Sequence, residues 1–334
     1  MRFGAGDWNV DVHRWLNIEM EDILMGGHVA IVGAGLVGSG WAIVFARAGH
    51  TVCVFDASSE IRDGLPAQLR ASLEAMQAHG LLDAVDPVLE RIEICSDIAA
   101  AVAGAVYVQE SVIERVDLKR EVSAAIDRHL GPDAIVGSST SGLPASSFTA
   151  DCANRARFVV AHPVNPPHLV PVVEIVPAPW TAQSTVARTR DLMQAVGQAP
   201  IAVTREIPGF ILNRLQGALL DEAWSLFEQG YASAEDIDKT VKYGLGLRWS
   251  FMGPFETIDL NAPTGIDDYA RRLGPMYLEL AQGRQSVGPW SDDAIRRATE
   301  ERRAALPQDQ IHARREWRDN RLMALRASQS KLDR

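Results

Sequence analysis

A strand, a glycine-rich loop, a helix and a second strand near the start of the chain constrain the fold more than any other stretch. An apolar run at 28–32 precedes Gly33-Ala34-Gly35-Leu36-Val37-Gly38, and a second apolar run ends at Asp56 after a segment of helical composition. Together these elements form a dinucleotide-binding βαβ unit of about 30 residues. Gly33 permits the tight turn, Gly35 lets the backbone approach a pyrophosphate, and Gly38 allows close packing of helix on strand. We expect the cofactor to be bound through Gly33, Gly35, Leu36, Val37 and Gly38.

Asp56 indicates which dinucleotide binds. It stands 18 residues beyond Gly38, where a carboxylate accepts hydrogen bonds from the adenosine ribose and repels a 2′-phosphate. Residues 57–59 contain no arginine that would reverse this preference. The sequence therefore predicts NAD rather than NADP as the cofactor.

Strands and helices continue to alternate in the first two thirds of the chain. Apolar runs at 92–95, 106–108 and 135–137 are typical of strands, with a helical segment at 118–130. Such alternation gives a doubly wound sheet whose ligand crevice lies at the carboxyl ends of its strands. Ile207-Pro208-Gly209 breaks the pattern, and only helical patterns follow. We predict an α/β fold, in which a Rossmann-type, mostly parallel sheet is followed by an all-helical C-terminal domain.

The same pattern predicts how the chain is divided. We expect an N-terminal extension at 1–25, an NAD-binding domain at 26–206, and a helical domain for substrate binding and dimerisation at 207–334. Two groups of polar residues follow strand ends of the NAD-binding domain: Glu114 and Lys119 follow one, and Ser141 follows another. Ligand contact and ordinary loop polarity are both open for each of these residues.

The stretch 157–176 carries the strongest candidate for catalysis. Its two short apolar runs, at 158–161 and 172–176, are typical of buried strands, and a proline-rich link separates them. His162 leaves the first strand, and Glu174 lies within the second. If the strands are neighbours, the carboxylate can fix the imidazole tautomer and leave the other nitrogen facing a cleft, as in a general base. A purely structural histidine beside an unrelated glutamate is the alternative.

Composition and charge exclude several classes of partner. The formal net charge of −10 on 334 residues disfavours nucleic acid and anionic membranes. No apolar run approaches the length of a membrane span. Three dispersed cysteines and a start without a basic, apolar leader favour a cytoplasmic location. His162 and His168 lack an acid or cysteine at familiar ligand spacing, so we expect no metal.

Motifs along most of the chain resemble those of the 3-hydroxyacyl-CoA dehydrogenase superfamily, and within it the branch of lambda-crystallin and L-gulonate 3-dehydrogenase. The motifs that carry this resemblance are G-A-G-L-V-G (33–38), Q-E-S-V-I-E (109–114), D-L-K-R (117–120), A-H-P-V-N-P-P (161–167), P-V-V-E-I-V-P (171–177), P-G-F-I-L-N-R-L-Q (208–216), G-L-G-L-R (244–248), G-P-F-E-T (253–257) and A-R-R-E-W-R-D (313–319). The resemblance covers about residues 28–325 and leaves the N-terminal extension outside.

The resemblance implies roles for individual residues. His162 is the catalytic base and Glu174 its partner. Ser141 and Asn213 hold the substrate hydroxyl and the nicotinamide end, and Asn165 joins them. Glu114 and Lys119 line the NAD site. The implied reaction is oxidation of a 3-hydroxyl group to a ketone.

Charge near the cofactor loop bears on the substrate. Residues 57–90 contain no lysine and two arginines against six acids, which suits a coenzyme A polyanion poorly. We therefore expect a small free hydroxy acid like L-gulonate, with Arg248 as the candidate ligand for its carboxylate. An ordinary surface arginine, or one paired with Glu256, is the alternative for Arg248. A 3-hydroxyacyl-CoA dehydrogenase and a non-catalytic NAD-binding structural protein remain alternatives for the chain. Apolar helices such as 210–229 predict a homodimer through the helical domain.

Overall fold

The structure is a computed structural model that describes residues 27–283 and 290–332. The extension at 1–25 lies outside the described residues. The chain forms two compact units: the first contains 27–213 together with residues from Glu316 onward, and the second contains 214–315. These bounds describe compactness only. The division into an NAD-binding domain at 26–206 and a helical domain at 207–334 stays a prediction.

Eight strands of the described residues form one sheet in the first unit. They are β1 (His28–Val32), β2 (Val52–Phe55), β3 (Ile92–Ile94), β4 (Ala105–Glu110), β5 (Ile135–Ser138), β6 (Phe158–Pro163), β7 (Val172–Pro177) and β8 (Ala199–Ala202). Their spatial order is β3-β2-β1-β4-β5-β6-β7-β8. All neighbours are parallel except β6 and β7, which pair antiparallel. The predicted mostly parallel, doubly wound sheet is confirmed.

Alternating strand residues build a core on each face of the sheet. In β1, Val29 and Ile31 face one core, whereas Ala30 and Val32 face the other. This period of two is expected of a strand covered on both sides. Met323, near the end of the chain, belongs to the larger core. The last helix therefore contributes to the packing of the NAD-binding unit.

The helices have the following bounds: α1 (Leu36–Arg47), α2 (Ser59–Ala78), α3 (Asp86–Leu89), α4 (Ile98–Val102), α5 (Val116–His129), α6 (Gln183–Ala195), α7 (Leu212–Glu228), α8 (Ala234–Thr240), α9 (Gly246–Trp249), α10 (Pro254–Asp259), α11 (Ile266–Gly283), α12 (Asp292–Ala305) and α13 (Ile311–Leu332). Helices therefore make up the second unit, as the pattern predicted. Within the described ranges, none of these helices is both long and apolar enough to cross a membrane.

Candidate active site

The glycine loop between β1 and α1 leaves room for a ligand at one position and none at the others. Gly33 has φ +97°, and a Cβ there would lie 2.7 Å from the backbone of Ser111. A Cβ on Gly38 would lie 1.8 Å from the carbonyl oxygen of Gly33. A Cβ on Gly35 would meet no atom within 4 Å. The open space at Gly35, at the start of α1, fits the approach of a pyrophosphate to a helix N-terminus.

Asp56 lies at the end of β2 and is held in a fixed orientation. Its Oδ2 accepts a hydrogen bond from Ala34 N at 2.7 Å, and its Oδ1 accepts one from Ser58 N at 2.9 Å. Arg62 does approach this residue, but its Nη1 donates to the carbonyl oxygens of Asp56 at 2.6 Å and Ala57 at 3.3 Å. Its guanidinium is thus engaged by backbone carbonyl groups, and no described hydrogen bond joins it to the Asp56 carboxylate.

A buried charge cluster follows β4. The ammonium of Lys119, on α5, lies 2.9 and 3.1 Å from the two carboxylate oxygens of Glu110. It also lies 3.5 Å from Oε2 of Glu114. The Lys119 side chain is 0 % exposed. The Lys119 ammonium is therefore paired with carboxylates in the described structure, and its place in the NAD site stays a prediction.

Glu114 holds the loop that carries Ser141. Its Oε1 accepts hydrogen bonds from the Thr140 hydroxyl at 2.6 Å, Ser141 N at 2.8 Å and Gly142 N at 3.1 Å. Burial alone would raise the pKa of Glu114, but these donors and the Lys119 charge outweigh it and hold the pKa below its usual value. Glu114 is therefore ionised at neutral pH and fixes the backbone around Ser141.

His162 and Glu174 form a buried pair. The antiparallel register of β6 and β7 places them directly opposite each other. His162 Nδ1 is 2.8 Å from Glu174 Oε2. Oε1 of Glu174 accepts hydrogen bonds from Ile211 N at 2.7 Å and Leu212 N at 2.9 Å. The predicted adjacency of the two strands is confirmed, and within the described chain Nε2 of His162 has no hydrogen-bond partner.

Glu174 is charged at neutral pH. Burial would raise its pKa, but the hydrogen bonds from His162, Leu212 and Ile211 outweigh it, so the pKa lies below its usual value. A carboxyl group with a lowered folded-state pKa stabilises the fold above its unfolded pKa, and this contribution is lost as pH falls through the folded value. The pair is therefore intact across the neutral range and is weakened by strong acid.

The start of α7 brings Asn213 to the loop after β5. Asn213 Nδ2 donates a hydrogen bond to the carbonyl oxygen of Ser141 at 2.6 Å. Ser141 is exposed, and its hydroxyl is 3.3 Å from Oε1 of Glu114. Asn213 thus contacts the loop that carries Ser141, and the residue before it, Leu212, contacts the Glu174 partner of His162.

Two predicted site residues, Asn165 and Arg248, make none of the hydrogen bonds described above for the network. Asn165 is exposed, precedes a cis peptide bond to Pro166, and makes no hydrogen bond within the described ranges. Arg248 is an exposed residue of α9 in the second unit. In the same unit, the hydroxyl group of Tyr269 is 2.9 Å from that of Tyr277.

Sequence reasoning missed a polar layer beneath the site. Gln109 is fully buried. Its Nε2 donates to the Ser139 hydroxyl at 2.7 Å, and its Oε1 accepts from the Tyr107 hydroxyl at 2.7 Å. Trp41 Nε1 also donates to Ser139, at 3.1 Å. The signal in the sequence was a glutamine inside an apolar strand. A buried side-chain amide needs hydrogen-bond partners, so such a residue predicts polar neighbours. Glu110, at the next position of β4, is also buried and is paired with Lys119.

No group of three or more histidine, cysteine, aspartate or glutamate side chains within the described ranges is arranged to hold a metal ion. His168, which the sequence offered as a conceivable ligand beside His162, packs instead against α1. A Cβ on Gly40 would lie 3.2 Å from His168 Nδ1. Burial, with the nearby Arg47 charge, lowers the pKa of His168 to about 4.

The glycine loop, the aspartate at the end of β2 and the mostly parallel sheet are the features of an NAD-binding oxidoreductase. Models of the 3-hydroxyacyl-CoA dehydrogenase family match this chain twice: the NAD-binding domain over residues 28–207, and the C-terminal domain over residues 209–287. The chain belongs to this family of NAD-dependent enzymes, and NAD is its cofactor.

Individual relatives give a finer comparison. Lambda-crystallin of Oryctolagus cuniculus is 39% identical over 304 residues, which cover 90% of this chain and 95% of that protein. L-carnitine dehydrogenase of Streptomyces coelicolor is 38% identical over 258 residues, covering 76% of this chain and 80% of the relative. A solved structure of 5-formyl-3-hydroxy-2-methylpyridine 4-carboxylic acid 5-dehydrogenase, an NAD+-dependent dismutase, is 31% identical. It superposes with a TM-score of 0.76 over 90% of this chain and 98% of its own.

Two glycine substitutions should separate cofactor binding from folding. Gly38→Ala should destabilise the protein by about 1–3 kcal/mol, because its methyl group overlaps the Gly33 carbonyl oxygen. Gly35→Ala should leave the unfolding temperature nearly unchanged and weaken NAD binding by about tenfold, or about 1.4 kcal/mol, because its methyl group enters the cofactor space. Calorimetric unfolding and NADH titration would measure both. If both variants are folded and lose NAD affinity equally, the assignment of the cofactor space to Gly35 would be contradicted.

Proposed function

We propose that this chain oxidises the 3-hydroxyl group of a small free hydroxy acid of the L-gulonate kind to the 3-keto acid, with NAD as the oxidant. One observation carries the proposal. The imidazole of His162 is fixed through Nδ1 by a buried, ionised Glu174, and Nε2 is left without a partner in the described structure. A histidine held in this way is suited to general base catalysis.

The His162–Glu174 pair, which we call the dyad, supports a proton transfer in either direction. Because the Glu174 carboxylate accepts from Nδ1–H, the lone pair of the neutral imidazole lies on Nε2. Nε2 takes the hydroxyl proton of the substrate, and the imidazolium that forms is stabilised by Glu174. The bound cofactor supplies the hydride acceptor. In the reverse direction, His162 returns the proton to the oxygen of the reduced ketone.

Neighbouring side chains are placed to orient the substrate. In this proposal the Ser141 hydroxyl and the Asn213 amide hold the reacting hydroxyl group, while Asn165 offers a further amide. The support for these roles is that Asn213 is anchored to the Ser141 carbonyl oxygen at 2.6 Å. An amide fixed at one end by a backbone acceptor loses little freedom when it binds a substrate.

Charge in the cofactor unit supports a free acid over a thioester. The two arginines of residues 57–90 are both engaged: Arg62 bonds to backbone carbonyl groups, and Arg70 pairs with Asp86 at 3.0 Å. Neither offers a free cation to the phosphates of coenzyme A. L-carnitine and a pyridine carboxylic acid, named for two relatives, are small carboxylates.

Arg248 is the proposed ligand for the substrate carboxylate. It is exposed on α9, in the same unit as Tyr269 and Tyr277, whose hydroxyl groups are 2.9 Å apart. An exposed guanidinium presents several N–H donors that suit a carboxylate. Direct pairing between Arg248 and Glu256 is not observed among the described contacts.

Two alternative functions stay open. The family name favours a 3-hydroxyacyl-CoA dehydrogenase, in which a coenzyme A thioester replaces the free acid. The similarity to lambda-crystallin would also be consistent with an NAD-binding protein without turnover. The buried dyad favours an enzyme over a purely structural protein, because a structural protein needs no partnered imidazole with a free nitrogen.

We also propose that the chain forms a homodimer through its helical unit. Within the described part of 214–315, the buried residues are Phe227, Thr257 and Ala294. Large apolar side chains such as Phe251, Phe255 and Leu260 are 66–75% exposed. Apolar surface of this extent is typical of subunit interfaces. A cytoplasmic location is part of the same proposal, and the free cysteines Cys53, Cys95 and Cys152 support it.

Substitutions in the dyad test the proposed mechanism. His162→Asn should lower kcat by about 100-fold or more with NAD affinity nearly unchanged, because the base is removed. In Glu174→Gln, the side-chain amide group would donate to Nδ1 and force the Nε2–H tautomer, so kcat should fall by about 100- to 10,000-fold. Any residual oxidation should reach its plateau at lower pH, because a neutral partner no longer stabilises the imidazolium. Wild-type kcat and pH profile in both variants would contradict the mechanism.

The substrate class is tested at Arg248. Arg248→Met should raise KM for a free 3-hydroxy acid by about 10- to 100-fold, through loss of a charged hydrogen bond of about 1.5–3 kcal/mol. Arg271→Met is the matched control, since this exposed arginine of the same unit pairs with Asp267 and should leave KM unchanged. If acetoacetyl-CoA proves the better substrate by kcat/KM and Arg248→Met leaves its reduction intact, the thioester alternative replaces the free acid.

The oligomeric state is tested by sedimentation. The wild-type protein should sediment as a dimer at micromolar concentration, and Phe255→Asp combined with Leu260→Asp should shift it toward monomer, because each carboxylate would be desolvated at the interface. An exposed control, Leu36→Asp in the first unit, should leave the mass unchanged. A wild-type monomer would contradict the proposal.

A further inference from the structure

Phe210 has an unusual backbone conformation beside the His162–Glu174 pair. Its φ is +50°, and it is the one non-glycine residue with positive φ in the described chain. It follows Gly209, whose φ is +76°. A left-handed conformation brings Cβ of an L-residue close to its own carbonyl oxygen, so a bulky side chain there is uncommon and strained. Such strain persists only when the surroundings favour it.

The ring of Phe210 is held against the catalytic candidate. It is 0% exposed and packs in a core cluster with Val160 and Val176, which lie two residues from His162 and Glu174 in their strands. The ring centroids of Phe210 and His162 are 5.6 Å apart, at an interplanar angle of 55°. We expect this tilted contact to restrict rotation of the imidazole about its Cβ–Cγ bond.

The backbone of Phe210 directs the next two N–H groups. Those of Ile211 and Leu212 lie 2.7 and 2.9 Å from Oε1 of Glu174. The turn at 207–210 is closed by a hydrogen bond from Phe210 N to the Ile207 carbonyl oxygen at 3.1 Å. Because both N–H groups bond to Oε1, Oε2 remains for His162 Nδ1.

We propose that Phe210 is a positioning residue for the proposed oxidation: its ring fixes the plane of the His162 imidazole, and its left-handed backbone aims two N–H groups at Glu174. The expected effect of Phe210 on kcat rests on the proposed function, whereas its effect on the orientation of His162 does not. The geometry assigns Phe210 an effect on kcat and on the tautomer of His162, although Phe210 itself touches neither proton nor hydride.

Matched substitutions of two buried phenylalanines test the ring. Phe210→Leu keeps apolar volume and removes the ring. Phe158→Leu makes the same change at a residue 2% exposed at the far end of β6, in a different core cluster. Phe210→Leu should lower kcat by about 10- to 100-fold with both KM values within about twofold, because a misplaced base slows proton transfer. Phe158→Leu should change kcat by less than about twofold. Equal kcat in the two variants would overturn the role of the ring.

The backbone contribution is tested by a second pair. Phe210→Gly and Phe210→Ala both remove the ring, but only glycine adopts the left-handed conformation without strain. The glycine variant should therefore unfold at the higher temperature and keep the higher kcat, because it holds the two N–H groups in place. Equal unfolding temperatures and equal kcat would overturn the backbone role. Phe210→Met replaces Phe210→Leu if the latter fails to fold.

A measurement without turnover separates this proposal from the proposed function. In ¹⁵N spectra of labelled histidine, with His162→Asn used for assignment, the neutral His162 should be one tautomer with the proton on Nδ1. Phe210→Leu should populate both tautomers, and Phe158→Leu should leave the spectrum unchanged. If no hydroxy acid is oxidised, the proposed function fails while this test still applies. A single unchanged tautomer in Phe210→Leu would overturn the positioning role.

Discussion

The candidate site depends on a single buried carboxylate that makes contacts in two directions. A carboxylate that is 0% exposed is very unfavourable unless its charge is matched by donors. Glu174 has three: His162 through Oε2, and the N–H groups of Ile211 and Leu212 through Oε1. Leu212 is the first residue of α7 and Ile211 directly precedes it, so the helix dipole also favours the negative charge there. One side chain therefore sets both the imidazole and the start of the helix that carries Asn213.

Glu110 and Glu114 form a second carboxylate network, which holds the loop that carries Ser141. Lys119 neutralises Glu110 and lies 3.5 Å from Glu114, so two carboxylates share one fully buried ammonium. Glu114 in turn accepts the N–H groups of the loop that carries Ser141. The two networks meet where Asn213 donates to the Ser141 carbonyl oxygen. The Ser141 loop and Asn213, which are proposed to bind substrate, are thus each held by a carboxylate network.

The sequence predicted features that follow from periodicity and spacing, and missed those that depend on tertiary contacts. The glycine loop and the opposition of His162 and Glu174 follow from local pattern, and both are observed. Lys119 lies on the buried face of α5 with Ser123 and Ile126. Its burial was not predictable, because lysine is normally exposed and its partner Glu110 comes from another element. The left-handed Phe210 has no local signal at all, since phenylalanine disfavours that conformation and only packing selects it.

The division between buried and exposed groups bears on the chemistry that we propose. Glu110, Lys119 and Glu174 are buried, whereas Glu114, Ser141 and Asn165 are exposed. During oxidation His162 would gain a positive charge as the nicotinamide ring loses one, so the net charge of the site would not change. Fixed carboxylates need not reorganise for such a transfer, because the charge they stabilise only moves between neighbouring groups. The same arrangement would stabilise the imidazolium as proton donor for ketone reduction. A site of this design is therefore suited to a reversible reaction, and its direction would be set by substrate and cofactor concentrations.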